Sequence, residues 1–116
     1  MAKLPNIGAA VVEDAKLTDY LLNAEHPRGR AKARFLAGYG FTLTALPILR
    51  DALLAHAAAN EVSGERRSID GTRYEIDGPL LACDGRAPVV RVVWYIRAGE
   101  DFPRLVTLIP RRIAGR

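Results

Sequence analysis

Two hydrophobic periods divide the chain. From residue 14 to about 60, apolar positions recur three and four apart, the spacing of a helix face; from 61 onward they alternate or run in short blocks, the spacing of strands. A first helix is predicted over 14–22, with Leu17, Tyr20 and Leu21 on one stripe and Asn23 ending it. A second is predicted over 27–39. Pro27 stands at its first position, where a missing N–H costs nothing, and Gly38 and Gly40 bracket its end. Ala31, Phe35 and Gly38 or Tyr39 would face inward, leaving Arg28 and Lys32 together on another side. A third helix runs from 43 or 44 to 59, with Pro47 in its first turn and Leu46, Leu49, Leu53 and either Leu54 or Ala57 on its apolar face.

Beyond the helices, Asp70-Gly71 and Asp84-Gly85 are hairpin-turn dipeptides, and Ala98-Gly99-Glu100-Asp101 makes a third turn. These turns delimit strands over about 62–69, 72–82, 88–97 and 104–109, and such short connections imply an antiparallel meander. In the third strand Val90, Val92, Trp94 and Ile96 point one way, while Val89, Arg91, Val93, Tyr95 and Arg97 point the other. The expected fold is α+β: about three N-terminal helices packed on one face of a four-stranded antiparallel meander sheet. The whole chain, 1–116, reads as a single domain, with helical part 14–60, sheet 61–110 and a basic tail 111–116.

Composition narrows the setting. With 116 residues, 49% hydrophobic and 26% charged, there is material for one globular core and not for two. No uncharged stretch reaches the roughly 20 apolar residues that a bilayer crossing requires. The first seven residues lack the apolar core of a signal peptide, so a cytoplasmic location is expected. Cys83 is the only cysteine, which rules out an internal disulfide, a thiolate zinc cage and a Cys-x-x-Cys redox pair.

Charge brings in the candidate chemistry. The net charge is +4, and only Lys3, Lys16 and Lys32 of the seventeen basic residues are lysine. Arg28, Arg30, Lys32 and Arg34 fall within one acid-free stretch whose charge equals that of the whole chain. His26 stands just before this stretch. Helix-start N–H groups attract phosphate, Gly29 would let it approach the backbone, and a histidine there can exchange a proton near neutral pH. The plainer readings are that His26 caps the helix and that the charges are a solvated face. Arg91, Tyr95 and Thr107 are candidates on the open sheet face: arginine to stabilise charge on a pentacoordinate phosphate, tyrosine to stack on a base or relay a proton. His56, among alanines, reads as packed or surface-exposed. No phosphate-binding Gly-Lys-Ser/Thr loop, nucleophile elbow, His-Glu-x-x-His pair or dinucleotide fingerprint occurs, and Glu75, Asp77, Glu100 and Asp101 are not spaced as a metal set. Neither a cofactor nor a metal is expected.

Tyr20, Leu22, Asn23, His26, Pro27, Gly29, Lys32 and Ala33 form the pattern Tyr-x-Leu-Asn-x-x-His-Pro-x-Gly-x-x-Lys-Ala. Together with Trp94-Tyr95-Ile96-Arg97 and the run from Gly99 through Phe102-Pro103 to Thr107, it resembles a small uncharacterised bacterial domain family found alone and at the C-termini of polymorphic toxins. The pattern is also similar to toxin domains of the barnase, EndoU, colicin and RelE ribonuclease fold. The resemblance implies a toxin-like, metal-independent endoribonuclease that cleaves RNA by attack of the ribose 2′-hydroxyl. It implies His26 and Lys32 as catalytic residues, with Arg91 and Thr107 as weaker sheet candidates for holding the phosphate; the reading of the residues themselves adds Tyr95 to the catalytic set and Arg28 and Gly29 to the phosphate-binding one. EndoU-type enzymes use two histidines; the sheet here has none, so the acid's role falls to Tyr95 or Lys32. The expected partners are RNA and a small acidic antitoxin or immunity-like protein. The competing readings are a non-catalytic protein-interaction module or inactive relative, partnered by a neighbouring small protein, and a basic surface that binds RNA or DNA without cleaving it.

Overall fold

The computed structural model of the chain describes residues 2–111. Met1 and residues 112–116, most of the predicted basic tail, lie outside the described residues. Alternation in the second half of the chain closes into one sheet. β1 (Gly64–Ser68), β2 (Gly71–Pro79), β3 (Val89–Arg97) and β4 (Arg104–Pro110) pair antiparallel in the order β1-β2-β3-β4. The turn glycines Gly85 and Gly99 adopt φ of 89° and 86°, the left-handed region in which a side chain is strained. β2 ends at Pro79, short of the expected 82, although Leu80 and Ala82 still donate backbone hydrogen bonds to Pro88 and Arg86.

One face of the sheet is apolar and buried, with Tyr74, Ile76, Val90, Val92, Trp94, Leu105 and Leu108 on it. Leu105 and Leu108 are three apart, which plain alternation forbids. A bulge reconciles them: Leu105 opposes Trp94, Thr107 opposes Val93, and Val106 is the extra residue. The outer edge of β4 is partly covered by Val11, which forms a parallel bridge to Arg104 and accepts the Leu105 N–H at 2.9 Å.

Among the described residues three α-helices precede the sheet, α1 (Asp14–Lys16), which runs on into a π-helical turn (Leu17–Leu21), α2 (Arg30–Ala37) and α3 (Leu46–Ala59), with short 3-10 turns at Ile7–Ala9 and Leu43–Ala45. Within the π turn Leu22 N–H reaches the Leu17 carbonyl at 2.9 Å, and the wide turn allows Leu17, Leu21 and Leu22 all to be buried. On α3 the buried residues are Leu49, Leu53, His56 and Ala57. Helix and sheet side chains meet in one apolar cluster that includes Leu17, Leu36, Leu53, Ile76, Val92 and Trp94. His56 is a packed histidine: its Nε2 pairs with the Gly78 carbonyl at 3.1 Å, and burial holds its pKa below the ordinary value.

The second helix differs from expectation in two ways. It begins at Arg30 rather than 27, because residues 27–29 form a turn. Its buried residues are Ala33 and Leu36, while Ala31 is exposed and Phe35 and Tyr39 are only partly covered. Contact of Gly29 with the π turn sets this rotation: a Cβ on Gly29 would lie 2.0 Å from the Tyr20 carbonyl oxygen.

Candidate functional site

The predicted motif residues converge on the junction between the π turn and α2. Asn23 Oδ1 accepts the Glu25 N–H at 2.9 Å and starts the turn. His26 then closes it, its Nδ1 accepting the N–H groups of Arg28 and Gly29, each at 3.0 Å. Arg30 N–H donates to the His26 carbonyl at 2.9 Å. These bonds change the expected anion site, because the N–H groups offered to phosphate are already taken by His26. Nor is the open side of Gly29 available to a ligand, since the Tyr20 carbonyl fills it. With Nδ1 accepting, the proton of a neutral imidazole lies on Nε2, on a half-buried ring that stands edge-on to Tyr20 at 5.1 Å between centroids. His26→Ala removes the side-chain acceptor that closes the turn: Arg28 N–H loses its partner, while Gly29 N–H keeps only the residue-26 carbonyl at 3.2 Å. Loss of such a cap costs about 1 kcal/mol, so thermal melts are expected to show a fall of several degrees in Tm; an unchanged Tm would contradict the capping role.

Lys32 is the centre of the cluster. Its Nζ donates to Tyr20 Oη at 2.5 Å and to Thr107 Oγ1 at 2.6 Å, and the two hydroxyls meet each other at 2.9 Å. An ammonium has three donors, so two bonds leave one for a ligand. Among the described residues no ion pair joins Lys32 to a carboxylate, whereas Arg50 pairs with Asp14 and Arg104 with Glu13 and Glu100. Lys32 also lies 4.9 Å from the centre of the Tyr20 ring, and Lys16 lies 5.9 Å from it. Burial alone would raise the Tyr20 pKa. Hydrogen bonds with Lys32 and Thr107 and the charges of Lys32 and Lys16 outweigh that effect and hold the phenol below its ordinary value.

The other expected site residues stand apart. Arg28 is exposed in the turn before α2, so it is not the helical neighbour of Lys32 that an earlier start would have made it. Tyr95 leans over β2, where a Cβ on Gly71 would meet its Oη at 2.9 Å; Thr107 lies in β4, on the opposite side of β3. Arg91 does lie on the open face, but Asp77 holds it with bonds of 2.7 and 3.0 Å, and Glu75 lies 3.4 Å away. Two carboxylates neutralise that guanidinium. The residue sequence reasoning missed is Tyr20, read only as part of an apolar stripe; its signal was its place at the head of the motif.

The Arg91 hydrogen bond keeps the Asp77 carboxyl below the usual carboxylate range, against the opposing effect of burial. A depressed folded pKa adds stability above the unfolded value of about 3.9, and that stability is lost as pH falls through the folded value. Urea unfolding of Asp77→Asn is therefore expected to depend less on pH than wild type below about pH 4. Equal acid limbs would contradict this.

Two cavities lie away from the cluster. One is polar and lies over β1 and β2, lined by Gly64, Glu65, Arg66, Arg73 and Glu75. The other is apolar and runs along α2. Among the described residues no helix is long and apolar enough to cross a membrane, and no group of three or more His, Cys, Asp or Glu side chains is placed to hold a metal ion.

A small α+β domain whose helical half presses a lysine and a tyrosine against the outer region of an antiparallel sheet is the class that this fold and site define. The chain belongs to the family described as Domain of unknown function (DUF6883), whose model matches residues 3–112. A comparison with curated proteins finds no match. Among solved structures, a chain of the contact-dependent growth inhibition toxin–immunity protein complex from Klebsiella pneumoniae 342 superposes with a TM-score of 0.70 at 17% identity, over 92% of this chain and 97% of that one. At that identity the likeness is one of fold.

Proposed function

We propose that this domain is a toxin-like, metal-independent endoribonuclease acting on cytoplasmic RNA, with Tyr20 and Lys32 moving the protons. The observation that carries the reading is Lys32 itself: a half-buried cation held by two hydroxyls, with no carboxylate paired to it among the described residues and one N–H to spare. Such a group suits a phosphodiester. The solved chain of similar fold belongs to a toxin–immunity protein complex, which supports a toxin-related or immunity-like setting for the domain.

The chemistry balances within the cluster. Ionised Tyr20 takes the proton of the ribose 2′-hydroxyl, and the 2′-oxygen attacks phosphorus. A P–O2′ bond forms and the P–O5′ bond breaks. Lys32 ammonium steadies the pentacoordinate phosphate and gives its proton to the departing 5′-oxygen. The Tyr20 phenol then returns a proton to Lys32 along their 2.5 Å contact. Thr107 orients the ammonium from the sheet side, and His26 Nε2–H donates to a non-bridging phosphate oxygen. In this scheme His26 contributes a hydrogen bond and no proton transfer, its Nδ1 being engaged by the turn. The purified full chain, incubated with total RNA in EDTA, is expected to degrade it, and Lys32→Met to leave it intact. Degradation by both proteins alike would overturn the assignment.

A further inference from the structure

The apolar groove along α2 is a second, separate feature. Leu22, Ala33 and Phe41 form its floor, and its volume is about 430 Å³. Leu43, 54% exposed, stands at its lip, a large apolar side chain left in water beside an already apolar floor. Arg30 and Arg34 rim it, one turn apart on the helix. Both are exposed, and neither is in an ion pair among the described residues, unlike Arg50, Arg67, Arg86 and Arg104, which each meet a carboxylate.

We infer that this groove docks an acidic segment of a partner polypeptide, apolar side chains seated on Leu22, Ala33 and Phe41 and carboxylates on Arg30 and Arg34. Charge complementarity selects this occupant. A second copy of the chain would bring another +4 protein against an arginine rim. An RNA backbone would match the rim but leave the apolar floor and Leu43 unused. Fully desolvated apolar anchors surrounded by charged pairs are the usual anatomy of a protein contact. Lys32 lies two positions from each rim arginine, on the far side of the helix, so a docked segment leaves the Tyr20–Lys32 cluster uncovered. Docking therefore does not depend on the chemistry proposed there.

The test is selection of a random peptide library displayed on phage against the immobilised full chain. Enriched peptides are expected to combine Asp or Glu with Leu, Ile or Phe. Synthetic versions are expected to bind Arg30→Glu/Arg34→Glu at least about ten-fold more weakly, and their neutral Glu→Gln counterparts to bind wild type more weakly by a similar factor. Arg30→Gln/Arg34→Gln, which removes charge without reversing it, is expected to fall between the two. Lys32→Met and Tyr20→Phe are expected to bind the peptides as wild type does, which separates this site from the nuclease reading. Four results would each overturn the inference: no enrichment, binding indifferent to the arginine reversals, a dimer in light scattering that Ala37→Glu dissolves, or an RNA oligonucleotide that displaces the peptides.

Discussion

Tyr20→Phe is expected to lower the rate of RNA cleavage by about 100-fold or more, the range in which a positioned acid or base is lost. The substitution keeps the ring that stands edge-on to His26 and removes only the oxygen that Lys32 and Thr107 share. Binding of RNA is therefore expected to change little, so the loss falls on kcat. The pH profile gives an independent readout. Since phenolate is the reactive form, the rate rises with pH, and the midpoint lies below the ordinary tyrosine value of 10.0 because Lys32, Thr107 and Lys16 favour ionisation. Lys16→Met removes one of those charges at a distance from the hydrogen bonds, so its midpoint is expected to move upward with the plateau rate unchanged. A profile that ignores Lys16, or a Tyr20→Phe enzyme of full activity, would remove Tyr20 from the chemistry.

Gly29→Ala is expected to be the most damaging single methyl group in the molecule. Its Cβ would lie 2.0 Å from the Tyr20 carbonyl oxygen, 3.0 Å from the carbonyl carbon and 3.3 Å from His26 Cβ. Two of those atoms are backbone, so the π turn and α2 have to separate. Forced overpacking of this kind costs about 3 kcal/mol, a large share of the roughly 5–15 kcal/mol that holds a domain together. A fall in Tm of about 10 °C is expected. Cleavage should fall as well, because Tyr20 and Lys32 stand on the two elements pushed apart. Gly8→Ala is the control: nothing lies within 4 Å of its added Cβ, and its Tm is expected to match wild type. Equal melting of Gly29→Ala and Gly8→Ala would contradict the packing described.

The sheet was legible because both its signals are local. Period-two alternation gives the faces of β2 and β3, and Asp84-Gly85 gives the hairpin that joins them. A two-residue turn at Asp84-Gly85 would set Asp77 opposite Val92, whereas the loop holds three residues, 83–85, and the register sets Asp77 opposite Arg91, so neutralisation of that arginine was not readable from the turn dipeptide. The start of α2 was misread because His-Pro before a basic stretch has two meanings. Pro27 at a first helical position and Pro27 in a turn capped by His26 look the same until the helix rotation is known. Gly29 is ambiguous in a similar way: a missing side chain makes room for a phosphate or for a neighbouring carbonyl, and here the carbonyl of Tyr20 occupies the space. The contact of Tyr20 and Lys32 with Thr107 spans 87 and 75 residues, beyond any local period. Only the motif spacing that links Tyr20, His26 and Lys32 pointed to it.

The most direct measurement is the chemistry of the ends left on a short RNA incubated with the full chain in EDTA, read by mass spectrometry beside the same oligonucleotide carrying a 2′-deoxy sugar at the cleaved position. Fragments ending in 2′,3′-cyclic phosphate and 5′-hydroxyl from the first, and an intact second strand, are the predicted result. Uncut RNA, fragments with 5′-phosphate ends, or cleavage of the 2′-deoxy strand would contradict it.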